Sequence, residues 1–201
     1  MAAIATLSTK EVAALAGASE RMVRDEIAGG IVTPVETARG RAPRRTFDHR
    51  AVYYFTLLRR LSLPLPAGDR RDLYRVLTED LAACGRWTRT GGKLRHADLA
   101  AIDTAPARAE FEKRLSLYRR GLERIESRGD VLGGEPVFKG TRLAVRHIGG
   151  MVRKGVSPQD IHADYPSLSN DDIAFAAIYA RLKPPPGGPK KPLRFVRADS
   201  A

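Results

Sequence analysis

Hydrophobic residues recur at helical spacing through most of the chain, between short polar segments rich in turn residues. Near the start, Ser8 and Glu11 have the spacing of a capping box, and Gly17 suits the left-handed end of the helix that follows. Ser19 then stands where it can cap a second helix, which buries Val23 and ends at a glycine pair. The pattern predicts two short helices joined by a tight turn, the plan of a helix-turn-helix.

A basic segment follows these two helices. Residues 31–35 read as a short strand, the next loop carries four arginines in seven residues, and Asp48 can cap a further amphipathic helix. An unpaired guanidinium is too costly to bury, so these arginines must face water or phosphate, which the planar group binds with two hydrogen bonds. Two more arginines, Arg21 and Arg24, lie together on the outer face of the predicted second helix.

The first 65 residues resemble the winged helix-turn-helix of MerR-type regulators. The stretches that match are LSTKEVAALAGASERMVRDEIAGGIV and RGRAPRRTFDHRAVYYFTLLRRL. The resemblance implies that the second helix enters the major groove and that the wing lies along the DNA backbone. The candidate DNA contacts that it implies are Arg21, Arg24, Arg39, Arg41, Arg44 and Arg45. Three acids, Glu20, Asp25 and Glu26, lie on or beside the second helix, which is expected to contact DNA. They would repel phosphate if they faced outward. The register of base contacts therefore stays open.

Residues 66–128 read as a helical linker and dimerisation region. Turn residues break the chain before Asp69, which can begin another helix, and the stretch around Gly91 and Gly92 indicates a strand or two. Further on, apolar residues step by four and three positions along one helix, and two heptads are too few for a free-standing coiled coil. Packing within the chain is therefore favoured over a dimer interface for this stripe. For Trp87, a position in the core is favoured over a role as a binding platform. The stripe consists of Phe111, Leu115, Tyr118, Leu122 and Ile125.

Residues 129–182 read as three compact helices that follow a glycine-rich hairpin. Ser157 and Ser169 stand at predicted helix starts, and the acids of the last helix, Asp171 and Asp172, are interpreted as exposed charges and a cap. Through GGEPVFKGTRL, VSPQDI and DYPSLSNDDIAFAAIYA, this stretch closely resembles a small domain of unknown function found in VapB-like antitoxins. The resemblance implies a PIN-like ribonuclease as cognate toxin, a toxin-binding tail after the module, and binding of the pair to its own operator.

Residues 183–201 have the composition of such a tail. Five prolines in the first ten of these residues exclude helix and sheet, and alternating apolar and cationic side chains follow. A segment of this pattern can add to a sheet edge or lie in a groove, and an arginine in it can pair with the metal-binding acids of a PIN-like active site. The candidate toxin contacts are Leu193, Arg194, Phe195, Val196 and Arg197.

The composition supports a polyanion partner and argues against enzyme chemistry. Lysine and arginine number 35 against 23 acids, a net charge of +12 that is densest at the two ends of the chain. The single cysteine, Cys84, excludes an internal disulfide and a cysteine-rich zinc site, and the four histidines are scattered. No nucleophile or phosphate-loop motif is found, so neither an enzyme nor a cofactor is expected. A nuclease assembled from distant carboxylates such as Asp171 and Asp172 is the enzymatic alternative.

The sequence thus predicts a mainly α protein in four parts: a winged helix-turn-helix (1–65), a helical linker (66–128), a three-helix module with a short β-hairpin (129–182) and an extended tail (183–201). The start of the chain does not resemble a signal peptide and no apolar run is long enough for a bilayer, so a cytoplasmic protein is expected. Its expected function is that of an antitoxin that binds double-stranded operator DNA as a homodimer and inhibits a PIN-like ribonuclease. The alternative is a MerR-like regulator without a toxin, which answers to a small molecule or another protein.

Overall fold

The structure, a computed structural model, describes residues 7–37, 44–61, 64–97 and 101–182, and within these ranges the chain is mainly helical. No helix in them is long and apolar enough to cross a bilayer. The helices are α1 (Thr9–Ala16), α2 (Glu20–Ala28), α3 (His49–Arg60), α4 (Ala67–Thr78), α5 (Ala105–Glu123), α6 (Val145–Arg153), α7 (Pro158–Asp164) and α8 (Asn170–Leu182). The strands are β1 (Val35–Thr37), β2 (Arg44–Thr46), β3 (Ala83–Cys84), β4 (Trp87–Thr90), β5 (Lys93–His96), β6 (Ala101–Asp103), β7 (Ile125–Glu126) and β8 (Val137–Phe138).

The strands form three small antiparallel sheets. Strands β1 and β2 make one two-stranded sheet, β3 to β6 make a four-stranded sheet in chain order, and β7 pairs with β8. Each sheet joins segments that are near one another in sequence. The long-range contacts of the fold are therefore made mostly by its helices.

The predicted ends of the first two helices are confirmed. The Ser8 hydroxyl accepts the Glu11 amide at 3.3 Å while the Glu11 carboxylate accepts the Ser8 amide at 2.8 Å, and Gly17 ends α1 with a φ of 67°. The Ser19 hydroxyl caps α2 by accepting the Met22 amide at 3.1 Å. These are contacts within four residues, so the local sequence is enough to produce them.

The strand predicted for residues 31–35 is wrong in its position. Ile31 and Val32 lie in the core in a non-strand conformation, with both side chains buried, and β1 begins only at Val35. Consecutive residues of a strand point to opposite faces, so two adjacent core side chains do not fit a surface strand. They close the interior beneath the end of α2 instead.

The segment around Gly91 and Gly92 forms more sheet than the sequence indicates. Strands β4 and β5 turn at these two glycines, with β3 and β6 added on either side. Trp87 is fully buried, and its indole N–H donates to the Asp69 carbonyl at 2.8 Å, which confirms its interpretation as a core residue. This sheet packs on α4.

The central element of the core is α5, which packs against α1, α3 and α8. Phe111, Leu115 and Tyr118 of the predicted stripe are buried, which confirms that the stripe packs within the chain. Two members depart from the prediction: 44% of Leu122 is exposed, and Ile125 lies in β7, beyond the end of the helix. One continuous hydrophobic cluster runs from α1 to α8 through this helix.

The last three helices follow their predicted boundaries, but the hairpin differs from the expected one. Strand β8 of the glycine-rich stretch pairs with β7, which comes directly after α5 and lies before the glycines.

Helices α6 and α8 pack closely because Gly149 of α6 has no side chain. A Cβ there would lie 2.2 Å from the Ala176 carbonyl oxygen and 2.5 Å from the Ala180 Cβ.

The interpretation of Asp172 as an exposed charge is wrong. Its carboxylate is 3% exposed, and Arg124 donates two hydrogen bonds to it, at 3.0 and 2.8 Å. Burial raises the pKa of Asp172, but the hydrogen bonds from Arg124 and Ser169 outweigh burial and bring this pKa below its ordinary value of 3.8. The capping role of this acid is confirmed, since the Ser169 amide donates to it at 3.0 Å. Asp172 thus caps α8 and also ties it to the segment after α5.

We expect Gly149→Ala to lower the free energy of unfolding by about 2 kcal/mol, because the added methyl group must push α6 away from α8. Chemical denaturation followed by circular dichroism measures this loss. Gly150→Ala is the matched control, since a Cβ on this neighbouring glycine meets nothing within 4 Å, and it should keep or raise stability by up to about 1 kcal/mol. Equal losses in the two variants would contradict the close packing of α6 on α8.

Candidate nucleic-acid interface

Helix α2 presents a polar outer face to solvent. Arg21 and Arg24 lie on this face, with 90% and 67% of their side chains exposed, together with Asp25. Val23 on the opposite face is fully buried, and α2 packs on α1. The structure therefore brings the two predicted helix arginines to one accessible surface.

Both arginines form ion pairs along the helix. Arg21 lies 3.6 Å from the Asp25 carboxylate, and Arg24 lies 3.4 Å from that of Glu20. Pairs of this exposed i,i+4 kind contribute little to stability, so a phosphate or a base edge can replace the acid at small cost. The two acids also cancel the charge of the arginines, so this face of α2 has no net positive charge.

The third acid of α2, Glu26, points inward. It is 7% exposed, accepts the Tyr54 hydroxyl of α3 at 2.8 Å, and forms an ion pair with Arg70 of α4 at 3.0 Å. Burial and the contact with Glu26 both raise the pKa of Tyr54, so this hydroxyl stays protonated and donates. Of the three acids, Glu26 therefore does not face outward, and its two partners fix the rotation of α2.

The hairpin of β1 and β2 lies next in the chain and is tied to the start of α1. The Phe47 amide donates to the Leu7 carbonyl at 2.8 Å, and the Leu7 amide donates back at 2.9 Å. Arg45 is exposed on β2 and lies 3.6 Å from Glu36, its partner on β1. Arg44 begins β2 and pairs with Thr37 in the ladder.

Several predicted contacts lie outside the described residues. These are Arg39 and Arg41 of the predicted loop, and Leu193, Arg194, Phe195, Val196 and Arg197 of the predicted tail. The structure therefore brings together Arg21 and Arg24 on α2 and places Arg45 on the neighbouring hairpin.

One cation beside α2 is not apparent from the sequence. The side chain of Arg71 on α4 is exposed and donates to the Gly30 carbonyl at 3.2 Å, just after the end of α2. The two residues are 41 positions apart, and no local pattern connects them. Arg71 adds a positive charge near the C-terminal end of α2.

The C-terminal module offers fewer free cations than its composition indicates. Lys139, Arg142 and Arg153 are exposed, but Arg146 is half-buried and lies 3.6 Å from Glu135. Asp171 pairs with Arg120 of α5 at 2.8 Å. Across the four described ranges, no three His, Cys, Asp or Glu side chains are grouped in a way that would hold a metal ion.

We expect Glu26→Gln to lower the free energy of unfolding by about 2 kcal/mol, because Arg70 loses its buried partner charge. Asp25→Asn on the same helix is the control, and it should cost under about 0.5 kcal/mol, since its pair with Arg21 is exposed. Urea denaturation of the two variants measures the difference. Similar losses for both acids would show that Glu26 does not anchor α2.

Comparison with known proteins relates the C-terminal module to a family. Residues 125–180, just over a quarter of the chain, match the family model described as "Protein of unknown function (DUF433)". A curated relative, "Uncharacterized protein y4eO" of Sinorhizobium fredii, is 34% identical over 89 residues, which are 44% of this chain. The chain spans 40% of the length of that relative. No solved structure gives a significant match. The matched residues coincide closely with β7, β8 and helices α6 to α8.

Proposed function

We propose that the protein is a DNA-binding antitoxin that represses its own operon and inhibits a PIN-like ribonuclease. The observation that carries the DNA-binding part is the exposed polar face of α2, held at a fixed rotation by Glu26 and followed in the chain by the β1–β2 hairpin. Two helices, a tight turn and a hairpin in this order correspond to a winged helix-turn-helix, in which α2 is the reading helix. The antitoxin part is carried by the resemblance of the C-terminal module and by the tail.

In this proposal, α2 enters the major groove with Arg21 and Arg24 toward the bases or phosphates. The buried contacts of Glu26 with Tyr54 and Arg70 support such a role, because they hold the helix rigidly when it is pressed against DNA. The exposed pairs with Asp25 and Glu20 open when the arginines find DNA acceptors. Since the acids leave α2 without excess charge, the nonspecific attraction to DNA comes mainly from the hairpin and its loop.

The hairpin supplies backbone contacts in the same proposal. Arg45 is exposed on β2, and the loop that precedes it carries Arg39 and Arg41. Arginine contacts to phosphate carry little sequence information, but they fix the orientation of the reading helix and make binding depend on salt. A homodimer would place two such readers on an inverted repeat.

The inhibitory part is assigned to residues 183–201. Leu193, Phe195 and Val196 would anchor the segment on the ribonuclease, while Arg194 or Arg197 would pair with the acids of the active site and compete with the divalent metal. The match of residues 125–180 to DUF433 supports a C-terminal module that ends just before this tail. The family description states no function, so the antitoxin role comes from the resemblance.

We expect Arg45→Ala to reduce the slope of log affinity against log salt by about 0.9, the value for one lost phosphate contact. Arg24→Ala should reduce the affinity for the DNA upstream of the gene by roughly tenfold, since a major-groove contact is lost. Fluorescence anisotropy with labelled duplexes at several salt concentrations gives both quantities.

The control for these two variants is Arg153→Ala, which removes the same charge from the exposed end of α6. It should leave the slope and the affinity unchanged. DNA binding that is insensitive to salt, or an equal effect of Arg24→Ala and Arg153→Ala, would contradict α2 as the reading helix.

Deletion of residues 183–201 should abolish inhibition of the ribonuclease encoded beside this gene and leave DNA binding intact. RNA cleavage by that nuclease is measured with the full chain and with the truncated chain. The paired change of Arg194 and Arg197 to glutamine should weaken inhibition without removing the apolar anchors. Full inhibition by the truncated chain would assign the toxin contact elsewhere.

One observation favours the second candidate function, a regulator that answers to a small molecule. A cleft of about 410 Å³ opens between α3, α4, β4, β5 and α5, within the size range of small-molecule sites. A ligand there would contact α3, whose first residue follows the last residue of β2 by three positions. The deletion experiment separates the two candidates, because a regulator without a toxin loses nothing with the tail.

A further inference from the structure

The cleft beside α3 is built from four separate parts of the chain. Its lining comes from the first turns of α3, the end of α4 with the segment that follows it, strands β4 and β5 with their turn, and the first half of α5. Polar and charged groups predominate among the lining residues, and the cleft volume of about 410 Å³ lies within the range of small-molecule sites.

Three arginines converge on this cleft. Arg50 comes from α3, Arg89 from β4 and Arg108 from α5, and the one carboxylate among the lining residues is Asp80. Arg89 donates to Asp80 at 2.5 Å. This hydrogen bond holds the pKa of the Asp80 carboxyl below its ordinary value of 3.8, and the charges of Arg50 and Arg108 lower it further. All three cations therefore act on the same small volume.

The cleft keeps an excess of positive charge, because the single carboxylate of Asp80 does not balance the three arginines. Three arginines against one carboxylate give an excess of two charges among the lining residues at neutral pH. Arg108 also contacts Glu112 at 3.1 Å, but this is an exposed i,i+4 pair that gives way readily to another anion. Arg50 is positioned by its bond to the Thr78 carbonyl at 2.6 Å, which uses part of its donor capacity.

The same cleft has an aromatic lining. His49 and Tyr53 of α3 lie beside Phe111 of α5, with ring centroids 6.2 and 5.6 Å from the Phe111 ring, and the His49 ring is stacked on it. Tyr53 is half-buried and Phe111 is buried. A flat ring bound in the cleft therefore finds aromatic partners within reach of the arginine side chains.

We propose that this cleft binds a small organic dianion that carries a flat ring, with its charged group on Arg50, Arg89 and Arg108 and its ring beside His49, Tyr53 and Phe111. Guanidinium groups suit phosphate and carboxylate equally, so the class includes aryl or nucleoside phosphates and aromatic dicarboxylates. The site goes beyond the proposed DNA and toxin contacts and does not depend on them.

Isothermal titration calorimetry of the full chain without DNA tests the site, with AMP, phthalate and inorganic phosphate as probes. AMP and phthalate represent the phosphate and carboxylate sources, and inorganic phosphate lacks the ring. We expect AMP or phthalate to bind more tightly than inorganic phosphate. Absence of binding by both ringed probes at millimolar concentration overturns the proposal, and so does equal affinity for inorganic phosphate.

Two substitutions should move the affinity of the bound probe in opposite directions. Arg108→Gln should weaken it at least tenfold, because one cation leaves the cleft. Asp80→Asn should strengthen it severalfold, because the competing carboxylate is gone; asparagine tolerates the left-handed conformation of this residue, whose φ is 58°.

The matched control is Arg119→Gln, on the same helix but roughly 16 Å further along its axis and outside the lining. It should change the affinity less than twofold. Equal weakening by Arg108→Gln and Arg119→Gln would show a general charge effect and overturn the site, as would weaker binding by Asp80→Asn. Thermal unfolding of each variant confirms that it is folded. Because no DNA is present, failure here is independent of failure of the proposed DNA binding.

Discussion

The burial of helix α5 against three other helices is the constraint on which the rest of the structure depends. This helix contacts α1 and α3 of the N-terminal part and α8 of the C-terminal module, so both parts share its apolar stripe. Polar contacts fix its rotation: the Tyr118 hydroxyl donates to Glu11 at 2.9 Å, and Glu110 accepts from Arg59 and Arg60 of α3. Glu11 also completes the capping box of α1, so one carboxylate both starts a helix and docks it on α5.

Buried polar contacts orient the exposed face of α2, which carries Arg21 and Arg24 and is the candidate DNA-binding surface. Helix α2 has only nine residues, too few for stability in isolation. It is held by apolar packing on α1 and by Glu26, whose partners Tyr54 and Arg70 come from the two following helices. This arrangement turns one acid inward and leaves two arginines outward. The exposed arginines can then exchange partners without any change in the core.

The cleft proposed as a ligand site has its origin in the same packing. The small sheet that follows α4 brings Arg89 toward α3, and the first turns of α5 bring Arg108 to the same place. Each of these residues looks like an ordinary surface charge in the sequence. Only the meeting of four segments makes them neighbours, which is why the sequence predicted strands here but no site.

The features that the sequence determined by itself depend on residues close to one another in the chain. The capping residues Ser8, Ser19, Asp48 and Ser157, and the glycine turn at Gly17, predicted helix ends that the structure confirms, since each acts on residues within four positions. The buried stripe of α5 was predictable for a similar reason, because its spacing follows from helix geometry alone.

The tertiary structure alone decided which charged residues are buried. Asp172 and Glu26 resemble their exposed neighbours in sequence, but each is buried because a cation lies within hydrogen-bonding distance. Arg124 is 48 positions from Asp172, and Arg70 is 44 positions from Glu26. A buried charge without such a partner would strongly destabilise the fold. No pattern within a helix reveals a partner so far away, so packing determines the surface that α2 presents and the charge of the cleft.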